Sequence, residues 1–150
     1  MPTMASHIEL ANRNQAVIDY LLLNPSVCAE TIAVISFYKA LHVMEAIFCF
    51  REQKHCFGHV EREKYIKNHK VYSQYWPFYR VLSTSSYVAR YLADNTTSQG
   101  YTRFSDYLPL DQVKAMLLDR YLARLERLAV TMLPSSHGLV PYTPRPIVST

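Results

Sequence analysis

From Pro25 to Gln53 the chain offers almost no polar face. Val27, Ala29, Ile32, Ala33, Ile35, Phe37, Ala40, Leu41, Met44, Ile47 and Phe48 fall all round a helical wheel, and a helix apolar on every side must be covered on every side. The β-branched run from Thr31 to Ile35 would locally suit a strand. Segment length and the Ala, Leu and Met content decide for helix. A chain of 150 residues has room for one core, so this segment is expected at its centre.

Other segments supply the cover. Ser6 and Glu9 have capping-box spacing, and Ile8, Val17, Ile18, Leu21 and Leu22 predict a first helix over about His7 to Leu23. Asn24-Pro25 ends it, and Pro25 suits the first position of the second helix. Gly58 breaks the pattern before a short charged helix from His59 to Asn68. Residues 70–76 read as irregular. Pro77 opens a fourth helix to about Ala93, and Asp94 to Gly100 is a polar loop. Pro109 with Asp111 starts a fifth, to about Met132, with Val113, Leu117, Tyr121, Leu125 and Leu128 at helical steps. The expected fold is all-α: residues 1–133 form a bundle of four to five helices around a buried second one. Residues 134–150 carry four prolines and no apolar periodicity, and are expected to be a disordered tail, dispensable for folding.

Composition excludes more than it suggests. Hydrophobic residues at 49% and charged ones at 19% are ordinary for a globular domain. Three glycines leave no Gly-rich phosphate loop, and Gly-x-Ser-x-Gly and His-Glu-x-x-His are absent, so kinase, serine-hydrolase and metalloprotease readings drop out. The longest uncharged apolar stretch, Thr31 to Phe37, falls far short of the ~20 residues of a membrane span. Glu9 precedes any apolar run, so no secretory signal is expected. Three cysteines (Cys28, Cys49 and Cys56) without a Cys-x-x-Cys pair favour a reducing, cytoplasmic setting, and for want of a spanning stretch no membrane contact is expected.

The positive charge is concentrated. Residues 51–80 hold seven bases (Arg51, Lys54, Arg62, Lys64, Lys67, Lys70 and Arg80) against three acids, which accounts for the whole net charge of +4. His55, His59, His69, Tyr65, Tyr72, Tyr75, Trp76, Phe78 and Tyr79 are interleaved with them. Cations for phosphates and flat rings for unstacked bases are what single-stranded nucleic acid requires. A solvated helix face followed by core aromatics has the same pattern.

Individual residues add narrower candidates. Arg62 and His69 stand about two helical turns apart. An Arg can hold a phosphate while a His moves the proton of a 2′-hydroxyl in metal-independent RNA cleavage. His42 and Glu45, one turn apart on the most buried helix, read as a hydrogen-bonded polar pair. Cys49, His55, Cys56 and His59 fall within eleven residues, and Cys56-x-x-His59 is a usable half-site for zinc. No second cysteine pair completes it, and Glu52-x-x-His55 is a single copy where a di-iron bundle needs two. No metal or cofactor is expected.

The segments CAETIAVISFYKALHVMEAIF, GHVEREKYI and FYRVLSTSSYVARYL together resemble the HEPN superfamily of small helical domains. The matching positions are Phe37, Tyr38, Ala40 and His42, then His59 and Arg62, then Tyr79, Leu82, Ala89, Arg90 and Tyr91. The resemblance covers about residues 25–93 and implies an up-and-down bundle, often homodimeric. Many members act on RNA as toxin or defence ribonucleases, while others only bind nucleotides or proteins. Active members carry Arg-x4-6-His on a later helix. Here Arg90 is followed by YLADNTTSQG, without a His, and only Arg62 to His69 has comparable spacing.

Two functions follow as expectations. In one, the domain engages RNA or a nucleotide through His59, Lys64, Lys67, Lys70 and Arg90, with Arg62 and His69 catalytic if it cleaves. In the other, it is a non-catalytic module pairing with another protein, such as a nucleotidyltransferase-type partner. A homodimer is expected because Tyr87, Tyr91, Tyr107, Tyr121 and Met116 exceed what one central helix can contact.

Overall fold

The computed structural model describes residues 1–145. Helix α1 spans Met4–Leu21, α2 Ala29–Glu52, α3 His59–Asn68 and α4 Trp76–Tyr91. The last helix is π-wound over Lys114–Leu122 and continues as α5, Ala123–Val130. Helix α2 packs on α1, α4, the π-wound stretch and α5. The chain is therefore an all-α bundle with its second helix at the centre. Against the expectation drawn from Thr31 to Phe37, α2 as a whole is long and apolar enough to cross a membrane, but 72% of its most apolar stretch is buried inside the bundle.

The element ends differ from expectation for local reasons. Thr3, not Ser6, caps α1: its Oγ1 accepts the Ser6 amide at 3.1 Å, and Ser6 Oγ accepts the Thr3 amide at 2.8 Å. That reciprocal box lies one turn before the expected one. Pro25 opens a turn rather than α2, because the Cys28 amide bonds to Asn24 O at 3.1 Å and regular winding begins at Ala29. Gln53 ends α2 in the left-handed region at φ 51°. The amides of Gln53 and Lys54 then return to Cys49 O and Phe48 O, a left-handed stop achieved without glycine. The expected fifth helix starts as a short 3₁₀ turn, Leu110–Gln112, before widening. In the π stretch Lys114 pairs with Asp119 at 2.9 Å, five residues on, and the Ala123 amide bonds to Leu118 O.

The expectation of a disordered tail does not hold for residues 134–145. Leu139 and Tyr142 are each 5% exposed. Asn12 clasps this segment from α1, donating to Gly138 O at 3.0 Å and accepting the Val140 amide at 2.8 Å. Composition suggested disorder, but Leu139 and Tyr142 fill space between α1 and the last helix. Residues 146–150 lie outside the described residues.

Candidate functional site

A polar cluster lies where α1, α2 and the α2–α3 connection meet. Glu45, on the buried face of α2, accepts Arg62 Nε–H at 2.6 Å through Oε1 and the Cys56 amide at 3.2 Å through Oε2. These two bonds fold residues 54–58 back along α2 and fix the start of α3. Arg62 also donates to Cys56 O at 3.1 Å. His55 Nδ1 stands 3.1 Å from Glu45 Oε2. From α1, His7 brings Nδ1 to 3.0 Å from His42 Nδ1, and its ring stacks against His55 with centroids 5.3 Å apart. Burial, then the adjacent His42, holds the His7 imidazole down to about 4. Burial and the charge of Arg62 lower His42 as well. Burial, then the Glu45 carboxylate, pushes the Cys56 thiol up to about 11.

Several expectations are redirected by this arrangement. His42 and Glu45 are not paired with each other: His42 faces His7, and Glu45 serves the α2–α3 junction. Arg62 is 5% exposed and bound to Glu45, so it fixes the fold instead of presenting a phosphate clamp. His69 ends α3 with extended backbone, and its Nε2 pairs with Glu52 at 3.1 Å. Its Nδ1 accepts the Val71 amide, and its ring stacks on Tyr72 at 4.1 Å. The helix stops before it, so Arg62 and His69 are not brought onto one face. Cys49, His55, Cys56 and His59 do not converge either; His7, Glu45 and His55 do.

The surface candidates fare differently. His59 lies 6.4 Å from the Tyr38 ring, and the Arg90 guanidinium 6.0 Å from the same ring and 5.0 Å from Tyr91. Burial, then Arg62 and Arg90, lowers His59, as expected of an electropositive patch. Lys64, Lys67 and Lys70 are exposed along and just beyond α3, and Lys67 sits 5.9 Å over the Trp76 ring. Of the surplus groups expected at a dimer interface, only Tyr91 is exposed; Tyr87, Tyr107, Tyr121 and Met116 are half-buried within the chain.

A second buried centre was not anticipated. Lys39, from the middle of α2, pairs with Glu126 at 2.9 Å and donates to Val140 O at 2.9 Å and to Gln15 Oε1. Glu126 in turn accepts the Tyr142 amide at 2.8 Å. Tyr142 Oη donates to Asp119. Burial lowers Lys39 and raises Glu126, with each partner opposing the shift of the other. The signal was present in the sequence: Lys39 is the one cation between Thr31 and Cys49. His7 had no such signal, since its partners lie on other elements.

No family model matches the chain, and no curated protein or solved structure matches it.

Proposed function

We propose that this chain is a helical module that engages RNA or a nucleotide through the basic surface of α3 and α4, binding without cleaving. One observation carries the reading. Of the seven bases in residues 51–80, only Lys54 and Arg62 have a carboxylate partner; Arg51, Lys64, Lys67, Lys70 and Arg80 are exposed and unpaired among the described residues. Uncompensated cations beside an aromatic ring, as at Lys67 and Trp76, suit a phosphate backbone with unstacked bases. Arg90, between Tyr38 and Tyr91, supplies a further such contact. The engagement of Arg62 and His69 within the chain supports binding over catalysis, and the HEPN resemblance accommodates members that only bind.

Anisotropy titrations of a labelled single-stranded RNA across a salt series test this. Affinity is expected to fall linearly with salt on logarithmic axes. Lys64→Ala and Lys67→Ala should each flatten the slope by roughly 0.7, and Trp76→Ala should cost about 1–3 kcal/mol. Salt-independent or absent binding overturns the reading. RNA cut by the wild type but not by His69→Ala would reinstate the ribonuclease.

A second reading, a protein-interaction module, is favoured by one observation. At the α2–α3 junction Phe57 is 83% exposed and Val60 67%, an apolar pair without cover. Loss of co-purifying protein on Phe57→Ser with Val60→Ser, with RNA affinity unchanged, would select it.

A further inference from the structure

The geometry points to a site for one divalent transition-metal ion of the zinc class, held by His7 Nε2, His55 Nδ1 and the carboxylate of Glu45. One possible ligand atom from each of the three residues lies within 4.8 Å of the others, although the residues come from α1, α2 and the connection that follows α2. Two histidines and one carboxylate form a donor set that suits zinc, whose ligands stand at about 2.0–2.2 Å.

The state of the nitrogens argues for a ligand independently. His7 is 4% exposed, yet its Nε2 is buried without a hydrogen-bond partner. His55 Nδ1 is likewise buried and makes no hydrogen bond, even though it stands 3.1 Å from Glu45 Oε2. Buried polar atoms are nearly always satisfied. A cation placed among His7, His55 and Glu45 would satisfy the orphaned His7 Nε2 and neutralise the carboxylate that His55 faces.

The outer contacts fit the same assignment. With Nε2 on the metal, His7 keeps its proton on Nδ1 and donates it to His42 Nδ1, 3.0 Å away. Such a bond fixes the tautomer and ring orientation of a ligating histidine. Arg62 holds Glu45 by Oε1, while Oε2, which accepts the Cys56 amide at 3.2 Å, also faces His55 at 3.1 Å. Three protein ligands leave a fourth position open. The His55 side chain is 15% exposed, with the exposed Phe57 ring packed edge-on against it, so solvent reaches this side. The inference is independent of the RNA reading, because none of its ligands belongs to the basic surface.

Zinc titration of metal-free protein by calorimetry tests it, alongside the absorption spectrum with cobalt(II). We expect one saturable ion per chain and a cobalt spectrum of low coordination number. His7→Ala and His55→Ala should each weaken zinc by at least about tenfold, whereas His69→Ala should bind as the wild type does. Should either alanine variant lose its helicity, histidine-ring nuclear magnetic resonance of the wild type decides. Zinc must then shift the His7 and His55 rings and leave His69 in place. Absence of saturable binding, wild-type affinity in both folded variants, or unmoved His7 and His55 rings would overturn the site.

Discussion

Arg62 Nε donates to Glu45 Oε1 at 2.6 Å, so a buried cation of α3 is anchored to the central helix. Removing one member of a buried pair strands the other charge in a poorly solvated place, typically at a cost of about 3–5 kcal/mol. Arg62→Met is therefore expected to lower stability by that order in urea unfolding. An Arg that only contacted phosphate would cost less than about 0.5 kcal/mol, and a result that small would return Arg62 to the surface.

Lys39 and Glu126 should behave as a coupled unit. Lys39→Met and Glu126→Leu are each expected to destabilise strongly, because each leaves its partner uncompensated among buried groups. The double variant should be markedly more stable than the sum of the two predicts. Additive losses within about 0.5 kcal/mol would show that the pair is not coupled.

Ending the chain after Leu133 removes the acceptor Val140 O, the Tyr142 amide donor and two buried apolar side chains. The thermal midpoint should drop by more than about 5 °C, given roughly 2–4 °C per kcal/mol for a domain of this size. An unchanged midpoint would mean that the segment rests on the bundle without stabilising it.

Stability should fall at alkaline pH. Tyr75 is buried with its hydroxyl donating to Leu128 O at 3.1 Å, and burial pushes its phenol up to about 12. The unfolded chain releases this proton near pH 10 and the native one does not. Its contribution is complete below pH 10 and is lost as pH rises through about 12, amounting to roughly 2–3 kcal/mol. Tyr75→Phe should flatten this part of the pH dependence. Equal slopes in the two proteins would exclude Tyr75 as a source.

The fold was legible where one physical pattern dominated. Helix α2 could be read from its sequence because burial on every side leaves no room for polar periodicity. Its ends were less legible: Pro25 is compatible with both a helix start and the turn that it makes, and Gln53 stops the helix in a conformation that favours glycine. The tail misled because proline content argues for disorder while Leu139 and Tyr142, three residues apart, act through long-range packing. The polar cluster was half legible. Glu45 and His42 declared themselves as polar groups on an apolar helix, but their partners were settled by the approach of α1 and by the fold-back at Cys56. Arg62 looked like a surface group because its helix is mostly charged, and only tertiary packing turns it inward.

The clasp made by Asn12 joins groups 126 and 128 residues apart in the chain. Loop closure becomes only slowly more costly with length, about 0.6 kcal/mol per doubling, but that entropy is lost before any distant contact compensates it. The helices can dock through nearer neighbours, so the clasp is expected to form late on the way to the native state and to open early on the way out. Such an opening would remove the Val140 O and Tyr142 amide contacts from Lys39 and Glu126 while α2 stays wound. The Val140 amide should accordingly exchange its hydrogen well before the amides at the middle of α2.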